Sequence, residues 1–289
     1  KRDWMVSSWT VALLYEQLRR YAEILRRAGR AARAKAFDAA AAAMRKDFQT
    51  HLIRDGVVAG YALFSPQGGA PELIIHPSDD ETGLRYSLLS LTQGVLGGVF
   101  TAAQTKKSVA LIRKHLLFAD GARLTERPLA YRGGVERLFR RAESAAYVGR
   151  EIGLMYVHSH LRTAEMMSRL GDGEALWEAL AIVNPVCVTE RVANAAPRQR
   201  NAYFSSSDAA FADRYQASEE WERVRAQTIP VEGGWRIYSS GPGLYVNMLV
   251  RCLFGRKRLF GKRVKQPCLP ASRRGVKLEW PKEAKPRRT

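Results

Sequence analysis

Apolar residues recur at spacings of three and four from residue 6 onward. Val6, Trp9, Leu13, Leu14, Leu18, Tyr21, Ile24 and Leu25 line one side of a predicted helix over 6–27. Gly29 breaks it, and an Ala-rich stretch over 31–48, with Phe37, Met44 and Phe48 on one side, resumes as a second helix. So short a turn predicts an antiparallel pair. Periodicity fails between 51 and 82, where Gly, Pro and Asp recur. Val57-Val58, Tyr61 to Phe64 and Leu73 to Ile75 read there as strands or as inward-facing loop. Thr101 and Gln104 have the spacing of a capping box, ahead of a helix that runs to about Phe118 and ends in the turn Asp120-Gly121.

Residues 143–170 and 174–183 read as further helices, the second stopping at Asn184-Pro185. Ser207 or Asp208 is placed to cap a helical piece over 209–227. Trp235 to Tyr238 reads as a short strand and 242–254 as a last helix. In the tail, Val264, Leu269 and Val276 to Trp280 look like isolated strands without partners. Helices joined alternately by short turns and by long loops rich in Gly, aromatic and charged residues predict a helical toroid whose loops build a site at one end. About six to eight helices are expected, where a closed double ring of six pairs needs twelve, so the chain would supply about half a ring.

Composition sets bounds on this picture. With 289 residues and 46% hydrophobic content the chain can bury a sizeable core. The three cysteines, Cys187, Cys252 and Cys268, form no CxxC, which favours neither a disulfide framework nor a thiolate metal site and points to a reducing, cytoplasmic compartment. No run of about eighteen uncharged apolar residues is present. The net charge of +19 is concentrated at one end: from Arg251 onward, 14 Lys and Arg stand against two Glu, contributing +12. Without a zinc-finger, helix-turn-helix or aromatic-interleaved pattern, no specific nucleic-acid partner is expected.

Candidate chemistry lies in four places. Asp3 stands beside Trp4, ahead of the first helix; a carboxylic acid partly withdrawn from water there is suited to deliver a proton to a leaving oxygen, and the plain alternative is an exposed carboxylate near a terminus. His158 and Arg162, four apart, share one helical face and suit an anion or a sugar hydroxyl, with Glu151 nearby and His160 pointing elsewhere; packing histidines are the competing explanation. The spacing lacks the logic of a metal site, and no metal is expected. Ser239, Ser240 and Gly241, just before the last helix, have the hydroxyl and N–H groups to meet an oxyanion, although such turns are common. Arg200 to Asp208, including Tyr203, interleaves aromatic and polar residues as a carbohydrate cleft does, or as a surface loop with buried aromatics does.

Taken together these pieces resemble the C-terminal half of an inverting glycoside phosphorylase, of the family of cellobiose, chitobiose and 1,2-β-oligoglucan phosphorylases and the phosphorylase-like domain of cyclic β-1,2-glucan synthases. The resemblance rests on Arg2-Asp3-Trp4, His76 to Asp79, Gly83 to Leu89, Tyr131 to Glu136, Arg141 to Ser144, Gly149 to Arg162, Asn194 to Arg200 and Ser239 to Gly243, and leans to the β-1,2-glucan branch.

The resemblance implies a mostly α fold, a partial (α/α)6 barrel (six-hairpin toroid) over 1–254, with the beginning of a small C-terminal β layer in a basic tail, 255–289. It implies Asp3 as general acid and His158, Ser239, Ser240 and Gly241 as phosphate ligands. Trp4, Arg85, Tyr86, Arg132, Glu143, Glu151, Arg162, Arg200 and Tyr203 are then substrate-binding candidates. Inorganic phosphate would be co-substrate, with no cofactor, and the partners would be a β-glucan or oligosaccharide and a missing N-terminal half of a larger enzyme. Two alternatives remain: a chain-trimming domain of a cyclic glucan synthase, which would move the site to the cytoplasmic face of the inner membrane, and an inactive fragment that retains carbohydrate binding.

Overall fold

A computed structural model of the chain describes residues 4–130, 155–184, 186, 188–197, 206–233 and 240–279. The chain enters through a short strand, β1 (Met5–Ser7), so Val6 belongs to a sheet and not to the first helix. Helix α1 (Ser8–Arg27) starts where the Ser7 side chain accepts from the Thr10 N–H at 3.4 Å, and Arg26 and Arg27 sit favourably in its last turn. Gly29, with φ of 73°, turns the chain into α2 (Ala31–His51). Tyr21 meets Phe37 edge-on at 4.9 Å and Arg26 pairs with Asp38 at 2.8 Å, which fixes the predicted antiparallel pair. Buried Ala12, Ala34 and Ala41 are small enough for these helices to lie close.

The ambiguous stretch after α2 is sheet. β2 (Ile53–Arg54) and β3 (Val57–Val58) form a hairpin whose turn residues, Asp55 and Gly56, both have positive φ, as a tight two-residue turn requires. β4 (Tyr61–Leu63) lies between β1 and β5 (Glu72–Ile74), antiparallel to both, with Met5 opposite Leu63 and Tyr61 opposite Ile74.

Helix α3 (Leu88–Gly97) is buried at nearly every position. It has no polar face, so the periodicity that announces surface helices is absent, and the patterning above does not predict it. Thr101 and Gln104 do form the predicted capping box of α4 (Ala102–Leu111), which continues as a π-helical turn over Ile112–Leu116. β6 (Leu117–Phe118) and β7 (Gly121–Ala122) close a small hairpin around Asp120.

Of the helix expected over 143–170, residues 143–154 lie outside the described residues. Met155–Tyr156 is a strand, β8, and helix α5 spans Val157–Arg169. Asp172 accepts from the Ala175 N–H at 2.9 Å and caps α6 (Gly173–Ile182); α7 (Val188–Arg191) and β9 (Ala195–Pro197) follow. Ser207 and Asp208 lie not at a helix start but in β10 (Ser206–Ala209), opposite Gly233 and Glu232. The cap is Asp213, which accepts from the Tyr215 and Gln216 N–H groups at the start of α8 (Arg214–Glu219), ahead of a single-turn α9 (Glu222–Arg225). β11 (Val231–Gly233) completes a four-stranded sheet in the order β8-β10-β11-β9. The strand expected over 235–238 lies outside the described residues.

Helix α10 begins at Ser240, not 242, and runs to Met248 before a π-helical turn over Leu249–Leu253. Val264 is no isolated strand residue: β12 (Arg256–Leu259) and β13 (Lys262–Lys265) form a hairpin with Val264 opposite Lys257. Leu269 and Val276 to Glu279 are outside any strand, and Trp280 lies outside the described residues. The chain is thus mostly α, with paired helices of an α/α toroid and a small β region towards its end. No described helix is long and apolar enough to cross a membrane.

Candidate active site

One rim of the helical assembly gathers the candidate residues that the structure describes, and named contacts establish it. Met5, which leads into α1, packs in a small apolar cluster with Leu84 and Leu129. The Leu88 N–H, at the start of α3, donates to the Leu124 carbonyl at 2.9 Å, and the adjacent Arg123 bridges to Met155, which leads into α5. The segments entering α1, α3 and α5 therefore lie together. Farther along, the hydroxyls of Thr92 and Thr163 approach to 3.3 Å, and Arg169 near the end of α5 donates to the Leu96 carbonyl near the end of α3, so α3 and α5 run parallel. Helix α10 packs along α5, and the turn that follows it, Leu249–Leu253, packs against the same helix with the Cys252 thiol near Ser168 and Glu165 of its last turns. Gly241, in the first turn of α10, accordingly stands at the same rim as His158, the second residue of α5.

His158 keeps its ring open to solvent, stacked loosely with Tyr156 at 6.0 Å and 18°. Desolvation by surrounding atoms, then the nearby Arg162 guanidinium, holds its pKa below the ordinary histidine range. Arg162 shares the predicted face of α5, and its charge is paired with Glu165. His160 points inward: Nδ1 accepts from the Ala122 N–H at 2.9 Å and Nε2 donates to the Ala179 carbonyl at 2.7 Å. It is a core residue that joins β7 to α6. Gly121, at φ of 125°, permits this, because a Cβ there would lie 2.9 Å from Met155 and 3.1 Å from His160.

Arg85 and Tyr86 reach the same rim from the segment that leads into α3. Arg85 is exposed, while the Tyr86 ring stacks on His115 at 4.6 Å and 29°. Sequence reasoning missed what holds them: Glu126 accepts from the Arg85 N–H at 2.6 Å and from the Tyr86 N–H at 3.2 Å, and the Trp221 indole donates to the Glu126 carbonyl at 2.8 Å. Burial pushes the Glu126 carboxyl pKa up against the lowering effect of these N–H groups. Burial also depresses the pKa of His115, assisted by Lys114, Arg225 and Arg85. Behind this wall Arg123 is fully buried, paired with Asp120 and flanked by Phe118 and Trp221 at 4.9 and 5.1 Å.

The motif His76 to Asp79 is structural. His76 Nδ1 accepts from the Ser78 N–H at 3.1 Å and Nε2 faces the Arg54 carbonyl at 3.2 Å. Asp79 collects the N–H groups of Ile75, Glu81 and Thr82, which clamps the loop after β5. Trp4 is 47% exposed at the entrance to β1, and its carbonyl accepts from the Phe64 N–H. Ser240 belongs to α10 itself, so the predicted turn is in part a helix N-terminus. Asp3, Arg132, Glu143, Glu151, Arg200, Tyr203 and Ser239 lie outside the described residues. Grooves of ≈ 500 Å³ between α1 and α2, lined by Tyr15, Arg19 and Arg45, and of ≈ 570 Å³ along α4 contain none of the candidates.

No family model matches the chain. It is similar to a 1,2-beta-oligoglucan phosphorylase of Listeria innocua, 43% identical over 272 residues. The match takes in 94% of the chain and 24% of that protein, so the chain spans about a quarter of the length of the relative. The chain is a homologue of that segment of a glycoside phosphorylase.

Proposed function

We propose that the chain is part of an inverting phosphorylase acting on β-1,2-linked glucan or oligoglucan, in which residues 1–254 form the second portion of an (α/α)6 barrel and 255–289 a basic tail. The observation that carries this reading is the 43% identity to a 1,2-beta-oligoglucan phosphorylase along 94% of the chain. The rest of the barrel would come from the preceding part of a larger enzyme.

In this reading inorganic phosphate attacks the anomeric carbon from the face opposite the leaving sugar. The bond to the glycosidic oxygen breaks, and Asp3 gives that oxygen its proton. A hydrolase of the same geometry needs a second carboxylate to activate water, whereas phosphate arrives already charged. What it needs is cationic and N–H contacts that hold it in line. His158, Ser239, Ser240 and Gly241 are assigned this task. The position of His158, Ser240 and Gly241 at the N-terminal ends of α5 and α10 supports the assignment, because the positive ends of two helix dipoles favour an anion there. The depressed pKa of His158 favours a neutral ring, so its contribution to phosphate is an N–H contact and not a charge.

Trp4, Arg85, Tyr86 and Arg162, with Arg132, Glu143, Glu151, Arg200 and Tyr203, are proposed to line the sugar subsites; Glu126 positions Arg85 and Tyr86. The test is phosphate-dependent release of α-glucose 1-phosphate from linear β-1,2-glucan by the protein that carries the preceding part of the barrel. Free glucose formed at the same rate without phosphate would refute the reading.

A further inference from the structure

The hairpin of β12 and β13 carries an arrangement of charge that its own fold disfavours. Arg256 lies opposite Lys265, and Arg258 lies opposite Arg263. Side chains two apart on a strand share a face, so these four cations form a two-by-two group on one side of the ribbon, and all four are exposed. Like charges directly opposite each other destabilise a strand pair. The hairpin, residues 256–265, contains six Lys or Arg and no Asp or Glu. Among the described residues none of the four has an ion-pair partner; Arg256 donates to the Leu278 carbonyl at 2.7 Å. The other face, with Lys257 and Val264, is the half-buried one.

The tip adds a second observation. Leu259 and Phe260 are 48% and 53% exposed at the end of this cationic ribbon. Phe260 has φ of 50° and Gly261 φ of 80°, positions where a two-residue turn ordinarily takes Asn-Gly. A bulky residue in the left-handed region carries backbone strain, so the fold gives up stability to keep an aromatic ring there. Arg27, at the end of α1, lies 3.8 Å from the centre of that ring and holds the tip against the body of the protein while half of the ring stays in water.

We propose that this hairpin docks on an anionic lipid bilayer. The four cations meet the headgroup phosphates, and Phe260, at the turn, enters the boundary between headgroups and acyl chains. The apolar tip decides between polyanions. A nucleic-acid backbone would satisfy the cations but leave the Phe260 ring in water, without polar groups at the tip to read base edges. A charged bilayer satisfies both sets. This surface is separate from the rim that carries His158, so its test is independent of the proposed phosphorolysis.

The experiment is co-sedimentation of the chain with vesicles of phosphatidylcholine containing about a third phosphatidylglycerol, in about 0.1 M salt. Neutral vesicles and duplex DNA serve as the other arms. Binding to the anionic vesicles, but not to the neutral ones, is expected. R258Q/R263Q should weaken it about thirtyfold, two cations' worth at a charged surface. F260G suits the backbone of the turn and should weaken it about tenfold while leaving the salt dependence unchanged. Both variants relieve an unfavourable feature, so an unchanged or raised thermal midpoint shows that they remain folded. Equal binding to neutral vesicles, absence of binding, or DNA binding as tight as vesicle binding and indifferent to F260G would overturn the proposal.

Discussion

Histidines 76, 115, 158 and 160 all have pKa values depressed below 6.5, with burial the leading cause in each. The unfolded chain takes up their protons near pH 6.5, while the folded chain resists them at that pH. Their contribution to stability is therefore complete above the unfolded pKa and lost as pH falls below it. Urea unfolding at about pH 7.5 and about pH 5.5 should show a lower midpoint in acid, and H160Q should flatten the difference. H160L is a harsher change, since it strands the Ala122 N–H and the Ala179 carbonyl in the core, at about 1–3 kcal/mol each. Nothing in the string Tyr156 to Arg162 distinguishes the histidine of the rim from the one in the core beyond their two-residue separation. A helix turns consecutive odd or even positions to different faces, and that suffices to part them. Likewise Asp120 and Arg123 look like ordinary turn residues until burial makes them a pair, and D120A, by removing a buried ion-pair partner of Arg123, should cost about 3–5 kcal/mol in an unfolding titration.

Elements with a polar side were legible, and elements without one were not. Helices α1 and α2 follow from their spacing and Gly29, and α4 from its capping box; T101A should lower stability by about 1 kcal/mol, measured by denaturant unfolding. Helix α3 stayed hidden because water touches almost none of it. Its close fit appears instead in glycines: a Cβ on Gly97 would lie 2.9 Å from the Ala12 carbonyl, and one on Gly94 would enter the Phe100 ring. G94A should thus be the more damaging of two superficially mild changes, read as the larger drop in thermal midpoint. The strand β8 was misread as helix since its two residues carry no alternation of their own. They extend only because Met155 and Tyr156 pair with Ser207 and Ser206 far along the chain. The brace from Glu126 to Arg85 and Tyr86 spans about forty residues for the same reason, and no local spacing announces it.

At the scale of the whole molecule, parallel helices turn scattered residues into a site. The toroid sets the N-terminal ends of α3, α5 and α10 at one rim, so Tyr86, His158 and Gly241, which are far apart in sequence, converge through helix direction alone. Sequence alone suggested the toroid from its loops, and the family resemblance suggested the chemistry; neither shows which ends meet. The assigned proton donor, Asp3, directly precedes in sequence the exposed Trp4 and the strand that leads into α1. Charge follows a different plan, concentrated away from this rim in the hairpin of β12 and β13. The most direct test is made on the protein carrying both parts of the barrel, supplied with linear β-1,2-glucan and phosphate, by measuring release of α-glucose 1-phosphate before and after D3N. Phosphate-dependent product that falls by at least about a hundredfold on D3N is the predicted result; an undiminished rate in D3N would contradict the assigned mechanism.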